Sequence, residues 1–172
     1  MLIEFDREGG TITLTKDSGE TVTFPSTSPE ADEAATNAFF GIDPVADAKV
    51  ARRREVDERL AQAFLGGFTV PSGPLAGFVL QVRNNEDRTN WLTSQASYSA
   101  MVAMGQGAVE GAKFRDRSDI THVITYAEGL TVLLQMAAWG AGLMGNSWAL
   151  KDQIEAATTL AGVAAVDIEA GW

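Results

Sequence analysis

The side chains best suited to acid–base chemistry in this sequence are a single histidine and two pairs of neighbouring carboxylates. The histidine is His122, and the pairs are Glu86 with Asp87 and Asp116 with Asp119. Two carboxylates that flank a sugar linkage are what a glycosidase uses as its acid and its base or nucleophile. Each pair, however, has arginines beside it in the sequence, which is typical of solvated loops. We therefore expect ion pairs there and predict no catalytic residues.

Metal, cofactor and phosphate chemistry are not indicated either. With no cysteine and one histidine, the chain cannot build a zinc site from thiolates or from two histidines. Gly140, Gly142 and Gly145 interrupt a predicted helix, whereas nucleotide-binding loops place their glycines between a strand and a helix. His122 falls in a predicted strand and is expected at a surface or a strand edge. We predict no enzyme activity, no cofactor and no metal ion.

The charge of the chain argues against a nucleic-acid partner. Its net charge is −10, divided as −8 over residues 1–47, +3 over residues 48–117 and −5 over residues 118–172. Phosphate binding requires an excess of Lys and Arg on one face. The one basic block, Arg52-Arg53-Arg54, lies on a predicted helix, where three consecutive residues point in different directions. A salt-bridged surface is therefore expected.

Neither the start of the chain nor its most apolar stretch predicts export or membrane insertion. Residues 1–6 lack the basic and apolar regions of a signal peptide, so we expect synthesis in a cytoplasm without export. Residues 130–150 contain glycines and polar side chains at amphipathic spacing, which is typical of a buried helix rather than a membrane span. We expect no membrane partner.

Residues 1–24 predict an antiparallel β-meander. Apolar and polar residues alternate in three short runs, and turn-forming residues separate these runs at positions 7–10 and 17–19. A sheet this small is only marginally stable alone, so its apolar face needs cover from the rest of the chain or from another subunit.

Residues 25–43 have the prolines, small polar residues and acids of a linker. Fully extended, this stretch would reach roughly 60 Å at about 3.3 Å per residue. The meander therefore need not pack on its own domain. Phe39 and Phe40 are too apolar for a free tether and are expected to dock on another surface.

Residues 44–172 predict an α+β domain with three long helices and short antiparallel strands. The first helix starts at Asp43-Pro44 and ends at Gly66-Gly67. The second, of about twenty residues, ends near Gly105. The third runs from the capping box of Thr125 and Glu128 to residue 157. Strands are predicted near residues 68–70, 77–82, 112–115 and 120–124.

The third helix has an apolar stripe that predicts its buried face. The stripe consists of Leu130, Leu134, Ala137, Ala141, Met144 and Trp148. On this prediction Leu134→Ala would cost about 2–5 kcal/mol. Trp139 lies off the stripe and Trp172 is the last residue. These two either contact a partner, since tryptophan is enriched at interface hot spots, or pack on their own domain.

From about Val50 onward the chain carries landmarks in a characteristic order. They are an Arg-rich helix to Leu60, the turn Gly67-Phe68-Thr69-Val70, Trp91-Leu92 after a polar cluster, Thr125-x-x-Glu128, and the ending Ile154 to Leu160, Val166-Asp167-Ile168 and Trp172. In this order they resemble a phage-tail domain of unknown function, found as the C-terminal part of many tail-fibre, tail-assembly and small virion proteins. Phe114 stands where that domain commonly has a tryptophan.

The resemblance implies a structural component of a tailed-phage virion, in the tail, the baseplate or a fibre attachment. Its partners would be other tail, fibre or baseplate proteins, in an oligomeric arrangement. An assembly chaperone for tail fibres is the alternative, and a cell-wall or polysaccharide hydrolase is a more distant third.

Residues 1–24 do not resemble that domain and are interpreted as an attachment arm, because an exposed strand edge can extend a neighbour's sheet. The predicted partner interface combines the apolar side chains of the arm and linker with the two tryptophans: Ile3, Phe5, Ile12, Leu14, Val22, Phe24, Phe39, Phe40, Trp139 and Trp172.

Overall fold

The α+β class is confirmed by a computed structural model, which describes residues 2–6 and 10–172, without the side chains of Phe5 and Asp6. In chain order the elements are β1 (Leu2–Asp6), β2 (Thr11–Thr15), β3 (Thr21–Pro25), α1 (Pro29–Phe40), α2 (Pro44–Gly66), β4 (Phe68–Thr69), β5 (Val79–Leu80), α3 (Asn85–Ala103), β6 (Glu110–Arg115), β7 (Thr121–Thr125), α4 (Tyr126–Ala156) and α5 (Leu160–Ala164). Most of the turn predicted at positions 7–10 lies outside the described residues.

The predicted meander is confirmed as an antiparallel sheet in the order β1-β2-β3. Its register pairs Ile3 with Leu14 and Leu14 with Val22, so the apolar side chains share one face. The opposite face is lined by threonines, with the hydroxyls of Thr13 and Thr23 2.8 Å apart across β2 and β3. One face of the sheet is thus polar and the other needs cover.

The stretch predicted as a linker contains helix α1. The Ser28 hydroxyl accepts a hydrogen bond from the Ala31 N–H at 3.2 Å, Pro29 occupies the first turn, and Gly41 closes the helix in the left-handed region. Asp32 also accepts a hydrogen bond from the Ser26 hydroxyl at 2.6 Å. The small and acidic composition that suggests a tether therefore provides a capped helix instead.

Helix α1 covers part of the meander. It packs against β2, where Ile12 and Leu14 are fully buried. The Lys16 ammonium lies 4.5 Å from the ring centroid of Phe39, which docks the end of α1 on the sheet. Helix α1 therefore supplies some of the cover that the meander's apolar face needs.

Helix α4 is the central element of the remaining chain. Helix α3 is antiparallel to its first half, since Tyr98 lies beside Gly129 and Trp91 beside Met136. Helix α2 is antiparallel to its second half, since Phe64 contacts Trp139, with ring centroids 5.5 Å apart, and Asp57 pairs with Lys151. Arg88 of α3 lies 4.5 Å from the Phe64 ring centroid, so the three helices meet there. The first core cluster lies around the first half of α4 and includes Phe68, Leu80, Tyr98, Phe114, Val132, Leu133 and Met136. The second lies around its C-terminal half and comprises Val56, Leu150, Ile154, Val163, Val166 and Ile168.

The hairpin of β6 and β7 packs closely against the start of α4. A methyl group added at Gly129 would overlap the Ala112 side chain and lie 3.2 Å from the Tyr98 ring. Glycine is therefore required by the close approach of helix and strand. The predicted capping box is confirmed, because Thr125 and Glu128 each accept a hydrogen bond from the other's backbone N–H.

The arginines of α2 form the predicted salt-bridged surface. Arg52 pairs with Glu55 at 2.6 Å, and Arg54 pairs with Glu58 at 3.5 Å. Arg53 points elsewhere and lies 3.7 Å from Glu155 of α4. Their charges are thus distributed around the helix rather than gathered into one patch.

The predicted buried stripe of α4 is wrong. Leu134 is 52% exposed and Trp148 is 60% exposed, whereas Leu133 and Met136, on another side of the helix, are buried. The buried side of α4 consists of Gly129, Val132, Leu133, Met136, Leu143, Ser147, Leu150 and Ile154. The helix thus has an apolar stripe on each side, and the one that carries Leu134 and Trp148 faces outward.

Candidate functional site

Three of the four carboxylates considered above line one polar cleft. It has a volume of about 300 Å³ and lies between the start of α3 and the turn that joins β6 to β7. Its lining residues are Gln81, Arg83, Asp87, Asn90, Trp91, Arg115, Asp116 and Asp119. The fold thus brings together one member of the first predicted pair and both members of the second.

Two of these carboxylates are bound by arginines. Asp87 accepts hydrogen bonds from the Arg83 backbone N–H at 2.9 Å and from its guanidinium at 3.0 Å. The hydrogen bond from the Arg83 side chain is the main reason why the pKa of Asp87 is lowered. Asp119 accepts a hydrogen bond from Arg115 at 3.0 Å. The ion pairs expected beside the predicted carboxylates are present.

Asp116 is buried and organises the turn between β6 and β7. One oxygen accepts hydrogen bonds from the N–H groups of Ser118 and Ile120 at 2.8 and 3.0 Å. The other accepts a hydrogen bond from His122 Nε2 at 2.8 Å, and the Phe78 ring covers the imidazole with centroids 4.2 Å apart. The sequence analysis missed this pair, whose only signal was two polar residues six positions apart across a turn.

The electrostatics of the cleft do not suit a general acid. A glycosidase acid needs a raised pKa so that it still holds its proton near neutral pH. Here the pKa of Asp116 is lowered, chiefly by the hydrogen bond from His122 and then by that from the Ile120 N–H. The pKa of Asp87 is lowered as well. Both groups are therefore stabilised as carboxylates, which favours a structural polar network.

We expect Asp116 to make the stability of the protein sensitive to acid. A carboxyl group with a lowered pKa in the folded state stabilises the fold above its unfolded pKa, and this contribution is lost as the pH falls through the folded pKa. Asp116→Asn should therefore be less stable than the native chain at pH 7. The difference should shrink as the pH is lowered below the usual range of Asp titration, as measured by urea midpoints over a pH series.

Asp119→Asn is the matched control, since its side chain is in the same turn but 79% exposed. Asp119 also has φ +62°, a conformation that asparagine tolerates. The urea midpoints of this variant should follow those of the native chain at every pH. If the two variants behaved alike, the role given to Asp116 would be wrong.

The predicted interface residues of the arm are divided between buried and accessible positions. Ile12 and Leu14 are fully buried under α1, which differs from the expectation that they face a partner. Ile3, Phe24, Phe39 and Phe40 are half-buried, and Val22 is exposed on the edge strand β3. The side chain of Phe5 lies outside the described residues. Val22 thus remains the arm residue best placed for a partner.

The two tryptophans proposed for the interface pack on their own domain in this structure. Trp139 is half-buried, with ring centroids 5.5 Å from Phe64 and 5.6 Å from Phe68. Trp172 packs against the second core cluster, and its indole N–H donates to the Ile168 carbonyl at 2.7 Å. Trp148, which was assigned to the core, is the tryptophan that projects outward.

The outer face of α4 is the most distinctive surface of the domain. Its exposed residues between Thr131 and Asp152 are Leu134, Ala137, Ala138, Ala141, Gly142, Gly145, Trp148 and Ala149. The sequence carries no charged residue from Gly129 to Leu150, nor from Thr89 to Val109 on the adjoining α3. We call these eight residues the outer stripe. Uncharged apolar surfaces of this kind mark interaction sites.

An apolar pocket of about 110 Å³ lies beside the outer stripe, between α3 and α4. It is lined by Val82, Arg88, Trp91, Leu92, Gln95, Leu133, Met136 and Ala137. Leu92 is largely exposed at its rim, and Ala137 belongs to both pocket and stripe. Together the two features form one continuous surface.

The described residues show neither a metal-binding cluster nor a membrane-spanning helix. Across residues 2–6 and 10–172, no three histidine or carboxylate side chains converge in a way that could hold a metal ion. In this part of the chain, no helix combines the length and apolarity needed to cross a bilayer.

Comparison with known proteins gives a family assignment. No curated protein and no protein of solved structure matches this chain. One family model matches residues 47–170, which include α3, α4, both β-hairpins, α5 and nearly all of α2. Its description is a domain of unknown function, DUF4376. Because the match covers well over half of the chain, the chain belongs to the DUF4376 family.

Proposed function

We propose that this protein is a structural component of a tailed-phage virion and acts through contacts between subunits in the tail, the baseplate or a fibre attachment. The observation that carries the proposal is the uncharged outer face of α4, on which Leu134 and Trp148 project into solvent. Large exposed apolar side chains on an uncharged surface suit subunit contacts, because charged residues are depleted at interface centres. The resemblance of residues 50–172 to a phage-tail domain supplies the biological setting.

The N-terminal arm supports the same role as a second contact area. Strands β1 and β3 are the edges of the small sheet, and an open edge can add to the sheet of another protein. Within the described residues, neither core cluster of the α4 domain includes a residue from 2–42. An arm with its own packing can bind one tail protein while the α4 domain contacts another subunit.

The alternatives make different demands on the molecule. A hydrolase would use the carboxylates of the polar cleft, and the lowered pKa values of Asp87 and Asp116 argue against a general acid there. A fibre-assembly chaperone would use the same apolar surfaces as a structural protein. It would, however, leave its client before the particle is complete.

Quantitative mass spectrometry of purified particles tests the proposal. Peptides of this chain should occur in a fixed ratio to those of a known tail protein, since a structural component is retained in every particle. A chain that lacks residues 1–42 should be lost from the particle if the arm provides the attachment.

Other results would favour one of the two alternative functions or contradict the role of the arm. A chain that is abundant in infected cells but missing from finished particles would contradict the structural role and favour the chaperone. Release of sugar from cell wall or polysaccharide by the purified protein, abolished by Asp116→Asn, would favour the hydrolase. Full incorporation without residues 1–42 would contradict the role of the arm.

A further inference from the structure

The outer stripe contains glycines that the fold of the single chain does not require. A methyl group added at Gly142 or Gly145 would meet no atom of the described residues within 4 Å, apart from its chain neighbours and the adjacent backbone of α4 itself. Glycine inside a helix costs roughly 0.5–1 kcal/mol relative to alanine. Both glycines lie in the middle of a 31-residue helix. Because no other described part of the chain packs against them, this cost is not offset within the chain. Small residues of this kind allow another backbone to approach closely.

We infer that a second copy of this chain covers the outer stripe, with its α4 antiparallel to the first and a two-fold axis at Ala141. The pairing follows from the spacing of the side chains. Antiparallel helices that cross at residue 141 place Leu134 against Trp148 of the other copy. The smaller residues pair in the same way, Ala137 with Gly145 and Ala138 with Met144. The stripe is thus complementary to itself, as a two-fold interface requires.

The same pairing aims Trp148 at the apolar pocket of the other copy. Around the helix, Trp148 and Ala137 lie within about 20° of each other at 100° per residue, so both lean to the side of α4 that holds the pocket. The two-fold axis lies in the plane of the interface and is perpendicular to the helices. It therefore places the pocket on the same side of the helix pair in both copies. Trp148 of each copy therefore enters the pocket beside Leu92 and Ala137, the arrangement typical of interface hot spots.

Charge and size restrict where two copies can meet. Two copies of a chain with net charge −10 repel each other, and the segments that meet here carry no charge over Gly129–Leu150 and Thr89–Val109. From Leu134 to Trp148 the stripe is only about 21 Å long at 1.5 Å per residue. A standard interface buries about 800 Å² per partner, so one helix pair is not sufficient and the contacts of Trp148 with α3 are needed.

The mass of the full-length protein in solution tests the inference. Sedimentation equilibrium should give twice 18.3 kDa for the native chain and 18.3 kDa for Trp148→Ala and Ala141→Glu. Ala141→Glu places two carboxylates at the two-fold axis, and glutamate is well tolerated in helices. The matched control is Ala51→Glu on the exposed side of α2, which should sediment like the native chain. Circular dichroism confirms that each variant keeps its helices.

Introduced cysteines report the direction of the helices, because the chain has none of its own. At an interaxial distance of 8–10 Å, the cysteines of two Ala141→Cys chains should form a disulfide with each other across the interface on oxidation. Gly145→Cys should not, since the two residues would lie about 12 Å apart along the antiparallel axis at 1.5 Å per residue. Equal cross-linking at both positions would contradict the antiparallel pairing.

The inference would be overturned if the native chain stayed monomeric up to its solubility limit. It would also be overturned if Trp148→Ala or Ala141→Glu, while folded, kept the native mass. It goes beyond the proposed function and does not depend on it. Mass in solution decides whether the copies pair, and abundance in particles decides whether the protein is a virion component.

Discussion

Phe114→Ala should lower the free energy of unfolding by about 3–5 kcal/mol. The side chain is 1% exposed, and its ring stacks on Trp91 with centroids 5.5 Å apart and an interplanar angle of 18°. Tyr98 contacts the same ring from α3, at 6.1 Å between centroids. Removal of the ring would leave a cavity where β6, α3 and α4 meet. Because domains are stable by only about 5–15 kcal/mol, this loss would be a large part of the total.

Urea unfolding followed by circular dichroism measures this loss. Val123→Ala is the control, since Val123 lies on the partner strand β7 of the same hairpin but is 49% exposed. Its substitution should cost less than about 1 kcal/mol. Equal losses for the two variants would show that the core is not centred on Phe114.

Local signals were sufficient to predict most of the elements. Asp43 caps α2 as expected, with its side chain accepting from the N–H groups of Val45 and Ala46 at 3.0 Å. The capping box at Thr125 fixes the start of α4 in the same way. Such signals involve residues within four positions of one another, so the local sequence contains every residue that forms them.

Helix α1 was not predicted within residues 25–43 because the same composition is compatible with a linker and with a helix. Prolines, serines and acids are common in tethers, but the same residues stabilise a helix when they stand in its first turn. Ser28, Pro29 and Asp32 are placed in that way, and Gly41 follows at the other end. The spacing from cap to glycine, rather than the composition, carried the information.

The polar cleft could be predicted only in part. Ion pairs between Asp87 and Arg83 and between Asp119 and Arg115 follow from their spacing of four residues. The cleft itself requires the turn between β6 and β7 to lie beside the start of α3. That contact depends on the antiparallel β-bridge between the backbones of Leu80 and Asp116, two residues far apart in the sequence. No local pattern reports a contact of this kind.

The failure on α4 has a different cause, because the sequence offers two apolar stripes and no charge to distinguish them. From Gly129 to Leu150 both sides of the helix are uncharged. Leu134 and Trp148 suggested the wrong side, whereas the buried side includes Gly129, where β6 approaches α4 closely, and Ser147. A helix that is apolar on every side is normally surrounded by protein. The sequence therefore indicated a buried helix without showing which of its two stripes packs in the core.

Substitution of two adjacent leucines separates the two stripes. Leu133 is 2% exposed in the first core cluster, so Leu133→Ala should cost about 2–5 kcal/mol. Leu134→Ala should change the stability of the monomer by no more than about 0.5 kcal/mol, because Leu134 is largely solvent-exposed and alanine favours helix. Urea unfolding of both variants and the native chain, in dilute protein, measures the difference.

The comparison at higher protein concentration extends this test to the outer stripe. If copies pair through α4, binding stabilises the folded chain in proportion to the logarithm of its concentration. The native chain and Leu133→Ala should then gain stability as protein is added, whereas Leu134→Ala should gain less. Losses of similar size for both leucines in dilute protein would instead mean that the two sides of α4 are equally buried, and the outward orientation of Leu134 and Trp148 would be wrong.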